Sequence, residues 1–470
     1  MTRSAIVLAA GHGSRMKSQK HKVLHEVCGK PMILHILDTL EKTGLDQVIV
    51  VVGQHREKVM EAVAGRADIA IQEEQLGTGH AVQAALPHVR EDAESVVVLY
   101  GDAPLIQSET LEQLFTVREE AQAAVSVLTA DVADPTGLGR VFLDEAGFVS
   151  KIVEEKDATP DERQHHVINT GIYAYAADAL RRSVAQLRPD NAQREYYLTD
   201  TLAILRKDGQ PAIPVAVRDV DEIASVNDRL QLANVERLCR RRIIEGWLRA
   251  GVTMVDPDST YIDATVQLAQ DVTLLPGTIL KGQTVIGAFS EIGPNTRLTD
   301  VVVGEHAVVQ YSVAVDSRIG AGTQVGPFAY LRPGSDVGER VKVGDFVEIK
   351  NSRIGNDTKV SHLTYVGDAE IGANVNVGCG VITVNYDGEK KHKTVVGDNS
   401  FVGSNVNLIA PVTIGEGAYI VAGTSVTEDA GDDAFVIGRV PQVTKPNYVR
   451  AWKARKKSAT SPEGGDSRGH

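Results

Sequence analysis

Apolar positions along this chain follow three successive spacings, and each predicts a different architecture. The first is an alternation of short β-branched runs with amphipathic stretches. Ala5 to Ala9, Val48 to Val52, Ile69 to Gln72, Val96 to Tyr100, Ala124 to Ala130 and Ile168 to Tyr175 read as strands, and Pro31 to Leu40 and Thr110 to Ala121 as helices between them. Such alternation predicts a doubly wound α/β domain with a parallel sheet and crossover helices. Arg140 to Glu154 predicts an inserted antiparallel hairpin turning at Glu145, Ala146 and Gly147.

The second spacing is near-helical. Val226, Leu230, Ala233, Leu238, Ile244 and Trp247 mark one long linking helix, with Arg237, Arg240, Arg241 and Arg242 as a basic run that either faces solvent or meets phosphates. The third spacing begins after Asp256. Ile319-Gly320, Val325-Gly326, Val337-Gly338 and Val343-Gly344 share a six-residue phase, and Ile371-Gly372 with Val377-Gly378, and Val396-Gly397 with Val402-Gly403, repeat the step. No helix buries a strict period of six. A parallel β-solenoid does, because each short strand sends one aliphatic residue inward and glycine relieves crowding at the corner. Phase breaks near Val303, Tyr330 and Asp387 predict loops leaving the solenoid.

Composition sharpens this picture. Aromatic residues make up 5% of the chain against 43 glycines, as a narrow prism filled by Ile, Val and Ala requires. At 470 residues more than one core is expected. The spacings place one domain over residues 1–226, the linking helix over 227–250 and the solenoid over 251–446, with a tail expected to be disordered over 447–470. A net charge of −13 argues against a duplex nucleic-acid partner while leaving anionic small molecules open. Three widely spaced cysteines, Cys28, Cys239 and Cys379, fit a reducing compartment. With no basic leader before Ala5 and no apolar run of bilayer-spanning length, the expectation is a cytoplasmic protein with no membrane partner.

Chemistry concentrates in a few segments. LAAGHGSRM, Leu8 to Met16, follows the first strand, and a glycine-rich turn there offers backbone N–H groups to phosphate. It is neither G-x-G-x-x-G nor G-x-x-x-x-G-K-[ST]. Arg15 and Lys22 add two cations suited to a triphosphate. Tyr100 to Leu105, YGDAPL, puts Asp102 beyond a strand's carboxyl end, where α/β sheets bind ligands and where a carboxylate can hold Mg²⁺ beside substrate phosphates. In the solenoid, Arg332, Lys350, His362, Tyr365, Asn376, Asn385, Tyr386, Ser404 and Arg439 form a polar concentration that packing does not require.

The first of these segments resembles the L-[AG]-[AG]-G-x-G-[ST]-R-[ML] signature of sugar-1-phosphate nucleotidyltransferases. With KVLHEVCGKPM, Lys22 to Met32, it looks most like the uridyltransferases that make UDP-N-acetylglucosamine, a cell-wall precursor. The resemblance implies a Rossmann-like domain in which Leu8, Ala9, Gly11, Gly13 and Lys22 meet the nucleotide. Gln72, with Gly77 and Thr78 in QLGTGHA, would contact uracil; Tyr100, Gly139, Glu154 and Asn169 line the sugar site; Asp102 and Asn227 hold Mg²⁺. The implied reaction is in-line attack of a sugar phosphate oxygen on the α-phosphorus of UTP, helped by Arg15 and Lys22.

SHLTYVGDAEIG and NVGCGVITVNYDG, Ser361 to Gly372 and Asn376 to Gly388, resemble the acetyltransferase domain of the same bifunctional family, so the likeness runs from Ser4 to about Pro446. It implies a left-handed β-helix that trimerises, with acetyltransferase sites between subunits. His362 is then the general base toward the glucosamine-1-phosphate amine, oriented by Glu348. Arg332, Lys350, Tyr365 and Asn376 would hold the sugar phosphate. Cys379, Asn385, Tyr386, Ser404, Ala422 and Arg439 would meet acetyl-CoA, with backbone N–H groups around Cys379 at the thioester oxyanion. Cys379 stands where the family often has Ala, and His12 where it often has Lys; neither change removes a catalytic group. Two rival functions remain at this point: a monofunctional nucleotidyltransferase with a structural solenoid, and a non-catalytic scaffold. The His362, Asn385 and Tyr386 constellation argues against the first, and retention of Arg15, Lys22, Asp102, Asn227 and His362 against the second.

Overall fold

The computed structural model describes residues 2–11, 13–191 and 193–459. His12 and the tail beyond residue 459 lie outside them. The chain divides into two compact units, Met1–Val302 and Val303–His470.

In the first unit, nine strands form one sheet: β1 (Arg3–Leu8), β2 (Gln47–Val52), β3 (Asp68–Ile71), β4 (Ser95–Tyr100), β5 (Val125–Asp131), β6 (Gly139–Leu143), β7 (Val149–Val153), β8 (Val167–Ala176) and β9 (Ala212–Ala216), in the order β3-β2-β1-β4-β8-β5-β9-β7-β6. Its central strands carry unbroken apolar runs, Ala5–Leu8 and Val96–Leu99, because both faces are covered. Ala5 and Val7 pack with Ile33, Ile36 and Leu40 of helix α1 (Met32–Lys42) on one face. Ile6 and Leu8 pack with Ala81, Val82 and Ala85 of helix α3 (Thr78–Ala85) on the other, helix α2 (Glu57–Val63) lying between these two in sequence.

The sheet is mixed, where the alternation predicts a parallel one. β8 runs antiparallel to both β4 and β5. The reason is the connection: between β5 and β8 the chain makes the β6–β7 hairpin and no crossover helix, so it returns in the opposite direction. β9, absent from the predicted strands, contains Pro214, which reads as a breaker. It is tolerated because β9 pairs along its length with β5 but meets β7 only at Ala212, leaving the other edge open at the proline.

The linking helix, Arg229–Arg249, starts when Asp228 caps it, its side chain accepting from the Gln231 N–H at 2.9 Å. Its buried side is Val235, Leu238, Cys239 and Ile244, whereas Leu230 is exposed. The basic run is used within this unit: Arg242 donates to the Leu105 carbonyl at 2.6 Å and to Asp219 at 2.8 Å, and Arg241 reaches Asp221 at 2.6 Å.

The second unit is a parallel β-helix of short strands in three stacks. One stack runs Gln324–Val325, Lys342–Asp345, Lys359–His362, Asn376–Val377, Phe401–Val402 and Tyr419–Ile420. Its buried residues, Val325, Val343, Val360, Val377, Val402 and Ile420, lie over one another as direct register partners. Glycine at the corner is sterically required: a Cβ on Gly344 would lie 1.9 Å from the Ser361 carbonyl oxygen of the next coil.

Near Val303 and Tyr330, where the spacing predicts loops, the chain stays in the strands Arg297–Val303 and Tyr330–Leu331. Leu331 is buried in phase, but Arg332 and Pro333 follow it instead of glycine, so the signature disappears while the packing persists. The Asp387 departure is real: Asn374 and Asn399, side-chain partners on adjacent coils, are 25 residues apart, against 17 for Arg340 and Asp357. The segment Tyr448–Ala459, expected to be disordered, is a helix. Alanine, lysine and arginine favour that state, and Lys456 lies over the Trp452 ring at 4.5 Å, one turn away. Among the described residues no helix is long and apolar enough to cross a membrane.

Candidate active sites

At the carboxyl ends of β1 and β4, the first unit holds a cavity of about 860 Å³. Leu8, Ala9, Gly11 and Lys22 enter it from the first turn, Gln72, Gly77 and Thr78 from the approach to α3, and Tyr100 and Asp102 from the end of β4. Gly139, Glu154, Asn169 and Asn227 complete the wall. Two expected residues do not line it. Gly13 lies against the Lys22 stem, where a Cβ would come within 2.7 Å of the Lys22 Cβ. Arg15 is exposed on the short turn Ser14–Met16.

Each wall is held by backbone. Gln72, buried, donates through Nε2 to the Gly77 carbonyl at 3.1 Å, and the Leu198 N–H donates to Thr78 Oγ1 at 3.1 Å, which together fix the turn into α3. Asn169 donates to the Tyr173 hydroxyl at 2.7 Å and faces Gly139 as a register partner. A bulge in β8 follows it. There Gly171 has φ +77°, and a Cβ would lie 2.1 Å from Cε2 of Tyr100, so only glycine admits that ring. In sequence the signal for this bulge is the glycine two residues after Asn169, in the segment INTGIY, Ile168 to Tyr173.

Charge is arranged in two zones. At one end Lys22 Nζ bridges Asp102 Oδ2 and Asn227 Oδ1, the latter at 3.1 Å. Asn227 is placed by its own N–H donating to Gln231 Oε1 at 2.7 Å, and Asp102 by the Val226 N–H donating to its carbonyl at 2.9 Å. A carboxylate and an amide oxygen already sharing one cation are a donor set that suits Mg²⁺, a hard ion bound through one or two carboxylates plus substrate phosphates. At the other end Glu154 is mostly buried. Burial, with Asp157 and Asp200 nearby, pushes its carboxyl above the ordinary glutamate range, against a lowering hydrogen bond from Thr199.

In the second unit, register builds the site. Counting two residues past each buried aliphatic of the stack described above, from Val343 onward, gives Asp345, His362, Cys379, Ser404 and Ala422, so these five occupy equivalent corners of successive coils. The column is tied by backbone, the Asn405 N–H donating to the Cys379 carbonyl at 2.7 Å and the Gly423 N–H to the Ser404 carbonyl at 2.9 Å. On the next coil Val436 pairs with Ile420, so Gly438 takes the corner position, and Arg439 follows it beside Gly423, where a Cβ would lie 3.9 Å from Arg439 Cδ.

One expectation is overturned here. Glu348 does not orient His362, because its carboxylate accepts from Arg332 Nη1 at 2.8 Å. The partner of His362 is Asp345, whose Oδ1 lies 2.6 Å from Nδ1. The sequence signal was the 17-residue coil, which stacks position 345 under 362. On the adjoining face, Tyr365 stacks on Glu348 and Lys350 on Gly367. Lys350 is held below the ordinary lysine range, first by the Lys391 ammonium beside it, then by burial and by Arg332. Lys391, not anticipated from sequence, thus joins Lys350 and Arg332 in a cationic group, with Asp368 and Glu348 as the carboxylates beside it. Asn376 lies half-buried between Lys359 and Phe401. Asn385 is buried and donates to Asp368, and Tyr386 is exposed with its hydroxyl on the Gly388 carbonyl. A separate cavity of about 430 Å³, lined by Asp336, Arg353, Glu370 and Lys393 among others, contains none of the expected site residues.

The MobA-like NTP transferase domain family matches residues 5–211, and the bacterial transferase hexapeptide family matches residues 316–351 and 393–428. Among curated proteins, the chain is 50% identical over 445 residues to the bifunctional protein GlmU of Brevibacillus brevis, covering 95% of this chain and 96% of that protein. It is 48% identical to that of Shouchella clausii, covering 95% and 99%, and 49% identical to that of Heliobacterium modesticaldum, covering 95% and 98%.

Proposed function

This chain belongs to the family of the bifunctional protein GlmU, and from that premise we propose how its residues divide a two-step synthesis of UDP-N-acetylglucosamine. The chain transfers acetyl from acetyl-CoA to glucosamine-1-phosphate and then uridylyl from UTP to N-acetylglucosamine-1-phosphate. Uridylyl transfer is assigned to residues 1–226 together with Asn227 at the start of the linking helix, and acetyl transfer to residues 251–446. The observation that carries the acetyl half is the corner column from His362 through Cys379 and Ser404 to Ala422, with the Arg439 side chain beside Gly423 at its end, which supplies a base and a continuous track for an extended thioester.

In acetyl transfer, His362 takes a proton from the amine as the nitrogen attacks the thioester carbonyl, and returns it to the departing thiolate. Backbone N–H groups at Cys379 face the oxyanion that forms. Arg332, Lys350, Tyr365 and Asn376 bind the sugar phosphate, with Lys391 as a third cation; Asn385 and Tyr386, with Ser404, Ala422 and Arg439, meet acetyl-CoA. In uridylyl transfer, the sugar phosphate oxygen attacks the α-phosphorus of UTP and pyrophosphate leaves, with no covalent enzyme intermediate. Lys22 and Arg15 neutralise the phosphates, Gln72, Gly77 and Thr78 receive the base, and Gly139, Glu154 and Asn169 receive the sugar. Asp102 and Asn227 would hold Mg²⁺, whose contribution is further charge neutralisation on the phosphates.

A homotrimer in the cytoplasm completes the reading. Support for assembly is the row Tyr311, Phe328 and Phe346, exposed apolar rings in successive contact at 5.8 and 5.5 Å, followed by exposed Leu363 beside His362. Light scattering on the full chain should read the mass of three chains; the mass of one overturns this part.

His362→Ala is expected to cut thiol release from acetyl-CoA by at least about 100-fold while leaving pyrophosphate release from supplied N-acetylglucosamine-1-phosphate intact. Asp102→Ala should do the reverse, and parallel loss of both activities in either variant contradicts the division. Glu154 accepts sugar hydroxyls through both carboxyl oxygens only when ionised, since protonation turns one of them into a donor, and its pKa is raised. Uridylyl transfer should therefore lose kcat/KM as the pH falls through a value above the ordinary glutamate pKa of about 4.3. That acid limb should be missing from the pH profile of Glu154→Gln; its persistence there would assign it to another group.

A further inference from the structure

We propose that Asp345 is the positioning residue of the acetyl-transfer base, holding His362 with its proton on Nδ1 so that Nε2 is the atom that receives the amine proton. The proposal rests on the assignment of His362 as base. Its foundation is that Asp345 and His362 are direct register partners on neighbouring coils, with Oδ1 and Nδ1 2.6 Å apart.

An ionised carboxylate only accepts hydrogen bonds, and a neutral imidazole has one N–H to give. The contact is therefore made by Nδ1–H, which leaves the Nε2 lone pair free. Asp345 is ionised at neutral pH, its carboxyl lying below the ordinary aspartate range chiefly because of the bond to His362. Glu348 is committed instead to Arg332, at 2.8 Å. The His362 side chain is 58% exposed and that of Asp345 38%, so solvent screens their attraction. What Asp345 contributes is orientation and tautomer, enforced because both residues sit on strands whose buried neighbours, Val343 and Val360, fix the register.

The proton count closes around this arrangement. The amine nitrogen forms the C–N bond as the carbonyl π electrons move to oxygen, and the amine proton goes to Nε2. The oxyanion then collapses, the C–S bond breaks, and the same proton passes from Nε2 to the thiolate, while Nδ1–H stays on Asp345 throughout.

The test compares Asp345→Ala and Asp345→Asn in the full chain. An asparagine Oδ1 still accepts from Nδ1–H, so Asp345→Asn should keep at least about a third of the wild-type rate. Asp345→Ala should lose about 10- to 100-fold in kcat, with KM for glucosamine-1-phosphate changed less than about twofold. The ¹⁵N resonances of His362 should move toward the Nε2–H tautomer only in the alanine variant, and uridylyl transfer should be unchanged in both. The proposal is overturned if Asp345→Ala keeps a kcat within about twofold of wild type, or if both variants fall equally with no change in the ¹⁵N signature. Failure of the underlying reading looks different: His362→Ala would itself retain acetyl transfer.

Discussion

The second unit depends on one packing constraint: each inward aliphatic must lie on its counterpart one coil away. Burying a Val, Leu or Ile contributes about 1.5–3 kcal/mol, and a one-residue slip would turn a whole strand's buried set outward. Register is therefore rigid where the prism packs, and the corners inherit that rigidity. Asp345, His362, Cys379, Ser404 and Ala422 are aligned because Val343, Val360, Val377, Val402 and Ile420 are. Corner glycines serve the same end, since a side chain at Gly344 would collide with the coil that carries His362. Function here is a by-product of stacking.

The first unit reaches its site by another route. Its sheet is packed on both faces, so chemistry is confined to the loops beyond the strand ends. There the scaffold supplies backbone anchors: the Val226 N–H on the Asp102 carbonyl, the Gly171 bulge that admits Tyr100, and the glycine at 13 that lets the Lys22 stem approach. The cavity keeps its cation, Lys22, and metal-type oxygens at one end and at the other the carboxyl of Glu154, whose charged form burial disfavours, matching a substrate that is polyanionic at its phosphates and neutral at its sugar.

Much of this was legible in the sequence. The six strands predicted in the first unit all form, the hairpin turns where Gly147 directs it, and the Ile/Val-Gly step becomes the β-helix. What escaped has physical causes. β9 was hidden by Pro214, acceptable only because of an open edge, and the antiparallel course of β8 follows from a connection that periodicity does not describe. Leu331 kept its place without its glycine, so a continuous strand looked like a break. Glu348 was expected beside His362 on the family likeness alone; the observed partner, Asp345, lies one turn of 17 residues away, where coil length and not family likeness places it. Lys391 sits in the one long coil, where no period points to it.

One chain performs both transfers, with the acetylated sugar phosphate as product of the first and substrate of the second. The direct measurement is a single time course on wild-type protein given glucosamine-1-phosphate, acetyl-CoA, UTP and Mg²⁺, with free thiol and pyrophosphate followed together. Immediate thiol release, pyrophosphate after a lag, and UDP-N-acetylglucosamine as the final nucleotide sugar are expected. Pyrophosphate without any thiol would contradict this and leave the β-helix as a structural appendage to a monofunctional nucleotidyltransferase.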